Sequence, residues 1–134
     1  MSLVIRGGTI IDSDGEKRAD VAIGDEGIIT EVSANLKGDE ELDASGCIVT
    51  SGFVDLHSHL REPGQEDAET IETGARGGAL GGYTALIAMP NTTPAMDCLA
   101  VIDQVRALGN KSVCEIIPTG TMTVGRNGEK MSPM

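Results

Sequence analysis

Over the first fifty positions, apolar residues come in short runs bounded by Asp, Ser and Gly, the pattern of brief strands separated by turns. Leu3-Val4-Ile5-Arg6 and Thr9-Ile10-Ile11 predict two strands, Asp12-Ser13-Asp14-Gly15 a turn, and Ala19-Asp20-Val21-Ala22-Ile23 a third strand. Asp25-Glu26-Gly27 predicts another turn into Ile28-Ile29-Thr30-Glu31-Val32. Glu41-Leu42-Asp43-Ala44 and Cys47-Ile48-Val49 then complete a β-meander. Strands that are apolar on one face need a second layer to cover it.

From Gly52 the period changes to strand, helix, strand, the signature of parallel βαβ units. Strands are expected over 53–57, 84–89 and 113–118. A helix rich in small residues is expected over 68–80. A second, over 97–108, carries Leu99, Val101, Ile102, Val105 and Leu108 near helical spacing, with Gly109 as its C-cap. Residues 121–128 read as a loop or hairpin, and Ser132-Pro133 as the N-cap and first residue of a helix that is then cut off. Three strands and two crossover helices cannot close a barrel, which takes eight strands and about 250 residues. The chain is therefore expected to be truncated.

Composition narrows the function classes. A length of 134 residues suits one compact domain. Ten basic against 21 acidic residues give a net charge of -11, which repels phosphate backbones and acidic lipid, so neither nucleic acid nor membrane is expected as a partner. No apolar run nears the roughly 20 residues of a membrane helix, and the N-terminus has no secretion signal, so the cytoplasm is the expected location. Cys47, Cys98 and Cys114 are odd in number and widely spaced, and they read as buried thiols. With 18 glycines and only Phe53 and Tyr83 as aromatics, packing must rest on aliphatic side chains and close backbone approach. The glycine-rich run 74–82 lacks the order of a phosphate loop and reads as helix packing against a sheet.

Chemistry concentrates in Gly52-Phe53-Val54-Asp55-Leu56-His57-Ser58-His59-Leu60-Arg61-Glu62-Pro63-Gly64, which holds both histidines of the chain. Alternation along a strand puts His57 and His59 on one side, with Asp55 and Arg61 on the same parity, and turns Val54, Leu56 and Leu60 toward covering helices. Strand C-termini form the active face of parallel barrels, and two neutral imidazoles there suit a zinc ion. A bare His-x-His is a weak signal, which the strand-end position and the Arg-Glu-Pro-Gly turn strengthen. Asp55 either orients a ligand or hydrogen-bonds nearby backbone; the sequence leaves both open.

The run from Asp55 to Gly64 resembles the N-terminal signature of dihydroorotases, in the cyclic amidohydrolase branch of the amidohydrolase superfamily. Met89-Pro90-Asn91-Thr92-Thr93-Pro94 resembles a second motif of that family, and the likeness covers essentially the whole chain. It implies an α/β protein in which residues 1–51 belong to a small β-sandwich and residues 52–134 form the first part of a TIM (β/α)8 barrel. It further implies that His57 and His59 bind zinc, one ion or two in the full-length enzyme, and that Arg61 and Asn91 hold the carboxylate of dihydroorotate or carbamoyl aspartate. Arginine suits that role because its planar fork donates two parallel hydrogen bonds. Relatives acting on hydantoin or allantoin as a rule lack an arginine at the position of Arg61. The implied activity is reversible, zinc-dependent hydrolysis of a cyclic amide in pyrimidine biosynthesis, by a homo-oligomer. No catalytic acid or base is expected within this chain; that carboxylate and the remaining ligands are expected on later strands. Two protein ligands fall short of the usual three, so weak or absent metal binding by this chain alone is expected. Hydantoinase or allantoinase activity, a non-catalytic dihydroorotase-like assembly protein, and a free-standing metal-binding module are the alternatives.

Overall fold

A computed structural model describes residues 2–133. It divides into two compact units, residues 1–51 and 52–134.

The first unit holds seven strands: β1 Leu3–Arg6, β2 Thr9–Asp12, β3 Gly15–Arg18, β4 Asp20–Ile23, β5 Ile29–Ser33, β6 Glu40–Asp43 and β7 Ile48–Val49. They do not form the expected meander. One sheet has the order β5-β4-β1-β6 and the other β3-β2-β7, so consecutive strands β1 and β2 part company. β6 returns parallel to β1, and β7 parallel to β2. Two sheets, each contributing buried apolar residues (Val4 and Val21 in one, Ile10 in the other), supply the second layer that one-sided strands require.

Strand β3 (Gly-Glu-Lys-Arg) is exposed throughout and has no apolar alternation to announce it. It exists because Ser13-Asp14 makes a two-residue turn: Asp12 Oδ1 accepts the Asp14 amide at 2.9 Å, Gly15 takes φ +116°, and Asp12 pairs with Gly15. Asp20, also unremarked in sequence, is buried. Its carboxylate accepts the amides of Gly7 (2.9 Å) and Leu36 (3.1 Å), and the guanidinium of Arg6 lies 3.9 Å away.

The second unit alternates β8 Phe53–Ser58, α1 Ile71–Leu80, β9 Tyr83–Ala88, α2 Leu99–Gly109 and β10 Glu115–Pro118. Its sheet is wholly parallel, in the order β10-β9-β8. Ile71 and Ala75 of α1 and Val101, Ile102 and Val105 of α2 bury against Leu86, Ala88, Cys114 and Ile116 of the sheet side. The glycines permit this closeness. A Cβ at Gly78 would meet Leu86 at 3.1 Å, and one at Gly109 would meet Ile116 at 2.6 Å.

Both helices begin later than expected. α1 starts at Ile71, where Thr70 and Thr73 form a reciprocal capping box and Glu62 Oε2 accepts the Ile71 amide at 2.8 Å. α2 starts at Leu99, because Asp97 is occupied in accepting the Gly125 amide at 2.8 Å. Gly109 is the last residue of that helix, not its cap; Asn110 follows in right-handed helical conformation, and Ile116 fills the space a side chain would need.

Residues 121–132 make a hairpin. Thr123 bridges Met131, the Ser132 amide donates to Met122 O, and a short 3-10 turn spans Val124–Arg126. Ser132 closes this hairpin, and the helix expected after it lies outside the described residues. The cysteines are all free, but only Cys114 is buried; Cys47 is exposed and Cys98 half-buried, against the expectation of three buried thiols. Among the described residues, no helix is long and apolar enough to cross a membrane.

Candidate active site

Strand β8 carries the histidines into the site. Its register against β9 shifts twice, between Phe53 and Val54 and between Asp55 and Ser58, so strict alternation fails here. Asp55 is level with Leu86 and Ser58 with Ala88, both members of the helix-covered core. Leu60 is buried as expected, but Val54 is 50% and Leu56 73% exposed, so neither lies under a helix. The bulge has displaced the predicted inside and outside of this strand.

The two imidazoles lie together at this strand end. The rings of His57 and His59 lie 5.1 Å apart between centroids, edge to face at 64°. Both side chains are exposed, at the mouth of a cleft whose lining includes Asp55, Ser58, Glu69 and the α1 glycines Gly74, Gly77 and Gly78. Asp55 stabilises the backbone beneath them. Its Oδ1 accepts the His57 amide at 2.9 Å and its Oδ2 the Ser58 hydroxyl at 2.7 Å, so it bonds nearby backbone and hydroxyl rather than either ring. The amide of His57, then the Ser58 hydroxyl and the nearby His57 ring, hold the Asp55 carboxyl below its ordinary range.

Asn91 comes from the loop after β9. Its Oδ1 lies 2.8 Å from His59 Nδ1. The two motif loops clasp each other: the Thr93 amide donates to Pro63 O at 2.9 Å. Gly64, at φ +103°, packs so tightly on Thr93 that a Cβ there would come within 2.1 Å of its carbonyl oxygen. The strand ends are also tied, with the Met89 amide on Ser58 O and the Thr119 amide and hydroxyl on Ala88 O. This loop clasp was not legible in sequence, because both loops carry turn residues that read locally.

Arg61 follows at φ +64°, exposed, and its carbonyl accepts the Gln65 amide at 3.0 Å. Among the described residues its guanidinium has no hydrogen-bond or ion-pair partner. Thus the structure joins His57, His59 and Asn91 directly and leaves Arg61 on the adjoining loop, unengaged.

The donor set fits a divalent metal in part. Tetrahedral zinc at about 2.0–2.1 Å from two nitrogens sets them roughly 3.3 Å apart, a spacing that rings at 5.1 Å between centroids can present. Among the described residues no group of three or more His, Cys, Asp or Glu side chains is placed to hold a metal ion. The two imidazoles would supply two positions of a coordination shell.

Known proteins resemble this chain in sequence and in fold. The chain is 46% identical over 138 aligned residues to the dihydroorotase of Pelotomaculum thermopropionicum, covering 100% of this chain and 32% of that protein. It is 42% identical to the dihydroorotase of Thermoanaerobacter sp., with the same coverage. The chain thus spans about a third of the length of these curated relatives. Its fold matches that of the L-hydantoinase (dihydropyrimidinase) from Arthrobacter aurescens with a TM-score of 0.80, over 90% of this chain and 28% of that one. At 24% identity, that match speaks to fold alone. It identifies a mixed α/β arrangement like the N-terminal part of a hydantoinase. Residues 46–134 match the family model described as dihydro-orotase-like. The chain belongs to the dihydro-orotase-like family.

Proposed function

We propose that this chain supplies the first two metal ligands and the carboxylate-binding residues of a zinc-dependent cyclic amidohydrolase that interconverts dihydroorotate and carbamoyl aspartate. The observation that carries the reading is the convergence of His57 and His59 at the end of β8, with Asn91 reaching across from the β9 loop. In this reading β8, β9 and β10 are the first three strands of a (β/α)8 barrel, whose active face lies at the strand C-termini. The remaining ligands and the proton-transferring carboxylate belong to the part of the relatives' length that this chain does not span.

When bound, zinc supplies a Lewis acid for the amide carbonyl and lowers the pKa of water. The chain's own residues select the substrate. Arg61, with no carboxylate among the described residues engaging it, is available to grip the anionic ring substituent through two parallel N–H donors. The amide N–H2 of Asn91, on the loop clasped to that of Arg61, offers a further donor. Asp55 keeps the bulged end of β8 in the shape that presents both rings. Cytoplasmic pyrimidine biosynthesis, a small-molecule partner and a homo-oligomeric assembly complete the proposal.

A chimera tests it: residues 1–134 in place of the matching third of the Thermoanaerobacter dihydroorotase. The expected result is zinc-dependent hydrolysis of dihydroorotate, abolished by His57→Ala. Arg61→Met should lower kcat/KM on dihydroorotate about 10- to 150-fold, the worth of hydrogen bonds to a charged group. A second reading, hydantoin hydrolysis, draws on a likeness to a D-hydantoinase, 29% identical with a TM-score of 0.74 over 88% of this chain and 26% of that one. A chimera that cleaves hydantoin in preference to dihydroorotate, indifferent to Arg61→Met, establishes that reading and removes the first.

A further inference from the structure

The contact between Asn91 and His59 has a consequence for the chemistry of the ring. A carboxamide oxygen only accepts, so at 2.8 Å His59 Nδ1 must carry the proton. A neutral imidazole protonated at Nδ1 has its lone pair at Nε2, and among the described residues neither His59 Nε2 nor either ring nitrogen of His57 has a hydrogen-bond partner.

Asn91 is not placed by the histidine. Backbone bonds fix its loop: the Met96 amide donates to Pro90 O at 3.2 Å and the Thr93 amide to Pro63 O at 2.9 Å. The buried Thr92 donates its hydroxyl to Pro94 O at 2.8 Å. The loop that carries Asn91 is thus held by bonds that do not involve the histidine. Nor does a carboxylate compete for the ring, since both oxygens of nearby Asp55 are engaged with the His57 amide and the Ser58 hydroxyl.

We infer that Asn91 is a positioning residue that holds His59 in the Nδ1–H tautomer with Nε2 presented to the metal, while its own N–H2 stays free for the substrate anion. One amide would then join the metal ligand to the anion site. Partners of this kind on ligating histidines fix tautomer and ring orientation. The inference rests on the reading of His59 as a ligand only for what Nε2 meets; the tautomer itself is separable.

The test is a long-range 1H–15N spectrum of the imidazoles in the 134-residue chain at about pH 8. His59 should show the Nδ1–H pattern. In Asn91→Ala the Nδ1–H to Nε2–H ratio should fall roughly two- to tenfold, the worth of one ordinary hydrogen bond, while the His57 pattern is unchanged. Asn91→Asp, which keeps an acceptor oxygen, should restore it and guards against a merely misfolded alanine variant. An Nε2–H pattern for His59 in the unmodified chain, or a ratio indifferent to Asn91→Ala in a chain with unaltered backbone resonances, overturns the inference. An Nδ1–H ring in this chain, together with a chimera whose activity is indifferent to zinc and to His59→Ala, upholds the tautomer assignment and overturns the metal reading alone.

Discussion

Asp20 and Asn91 show two ways in which a single polar side chain organises this molecule. Asp20 gathers the amides of Gly7 and Leu36, and these with the Arg6 guanidinium hold its carboxyl below the ordinary range, the Gly7 amide contributing most. A carboxylate whose folded pKa is depressed stabilises the fold above its unfolded pKa, near 3.9, and that contribution is lost as pH falls through the lower, folded value. Acid unfolding of the first unit should therefore steepen below about pH 4. Asp20→Asn should flatten that limb and lower the thermal midpoint at neutral pH, read by circular dichroism against pH; an unchanged acid limb counts against the assignment. In the sequence Asp20 is one acidic residue among 21, inside an apolar run, and nothing local shows that two distant amides converge on it. His57, His59 and Asn91 were legible because their motifs are contiguous. The role of Asp55 was not, since its partners depend on a bulge.

Elements were legible where apolar residues keep a regular period and illegible where backbone pairing or a cap decides. The helices and parallel strands of the second unit follow from periodicity, whereas β3 has no apolar face and arises from its turn. The late start of α1 reflects tertiary capping. Thr70→Ala should cost about 1 kcal/mol, the usual worth of an N-cap, measurable by urea denaturation. Gly109 was misread as the C-cap because a glycine at a helix end reads the same whether it caps or packs. Gly109→Ala should destabilise by about 1–3 kcal/mol through collision with Ile116; a neutral result indicates that α2 can shift from β10. Gly64→Ala should loosen the clasp between residues 61–64 and 89–94, and with it the approach of Asn91 to His59.

For the whole molecule, the balance lies between charge and uncovered apolar surface. The outer edges of β8 and β10 are unpaired within the parallel sheet, with Leu56 and Val54 exposed beside one and Ile117 beside the other. Ile28, Ile29, Leu42 and Ile48 are exposed in the first unit. Unpaired strand edges and apolar patches favour association, which a net charge of -11 opposes at low salt. Light scattering should thus report concentration-dependent association that grows as salt screens the charge. A monomer at every ionic strength, melting cooperatively, contradicts this. Division of the chain near residue 51 follows from the change of period in the sequence, but the two-sheet topology of the first unit does not, because parallel returns by β6 and β7 depend on pairings 37 and 39 residues apart.

The central claim is that two imidazoles act as one metal-binding pair. A zinc titration followed through the side-chain 15N resonances of His57 and His59 tests it most directly. The account predicts weak binding in which both rings respond along a single saturation curve, each response being lost when the other histidine is replaced by asparagine. Independent curves for the two rings, or a zinc response centred elsewhere in the chain, contradict it.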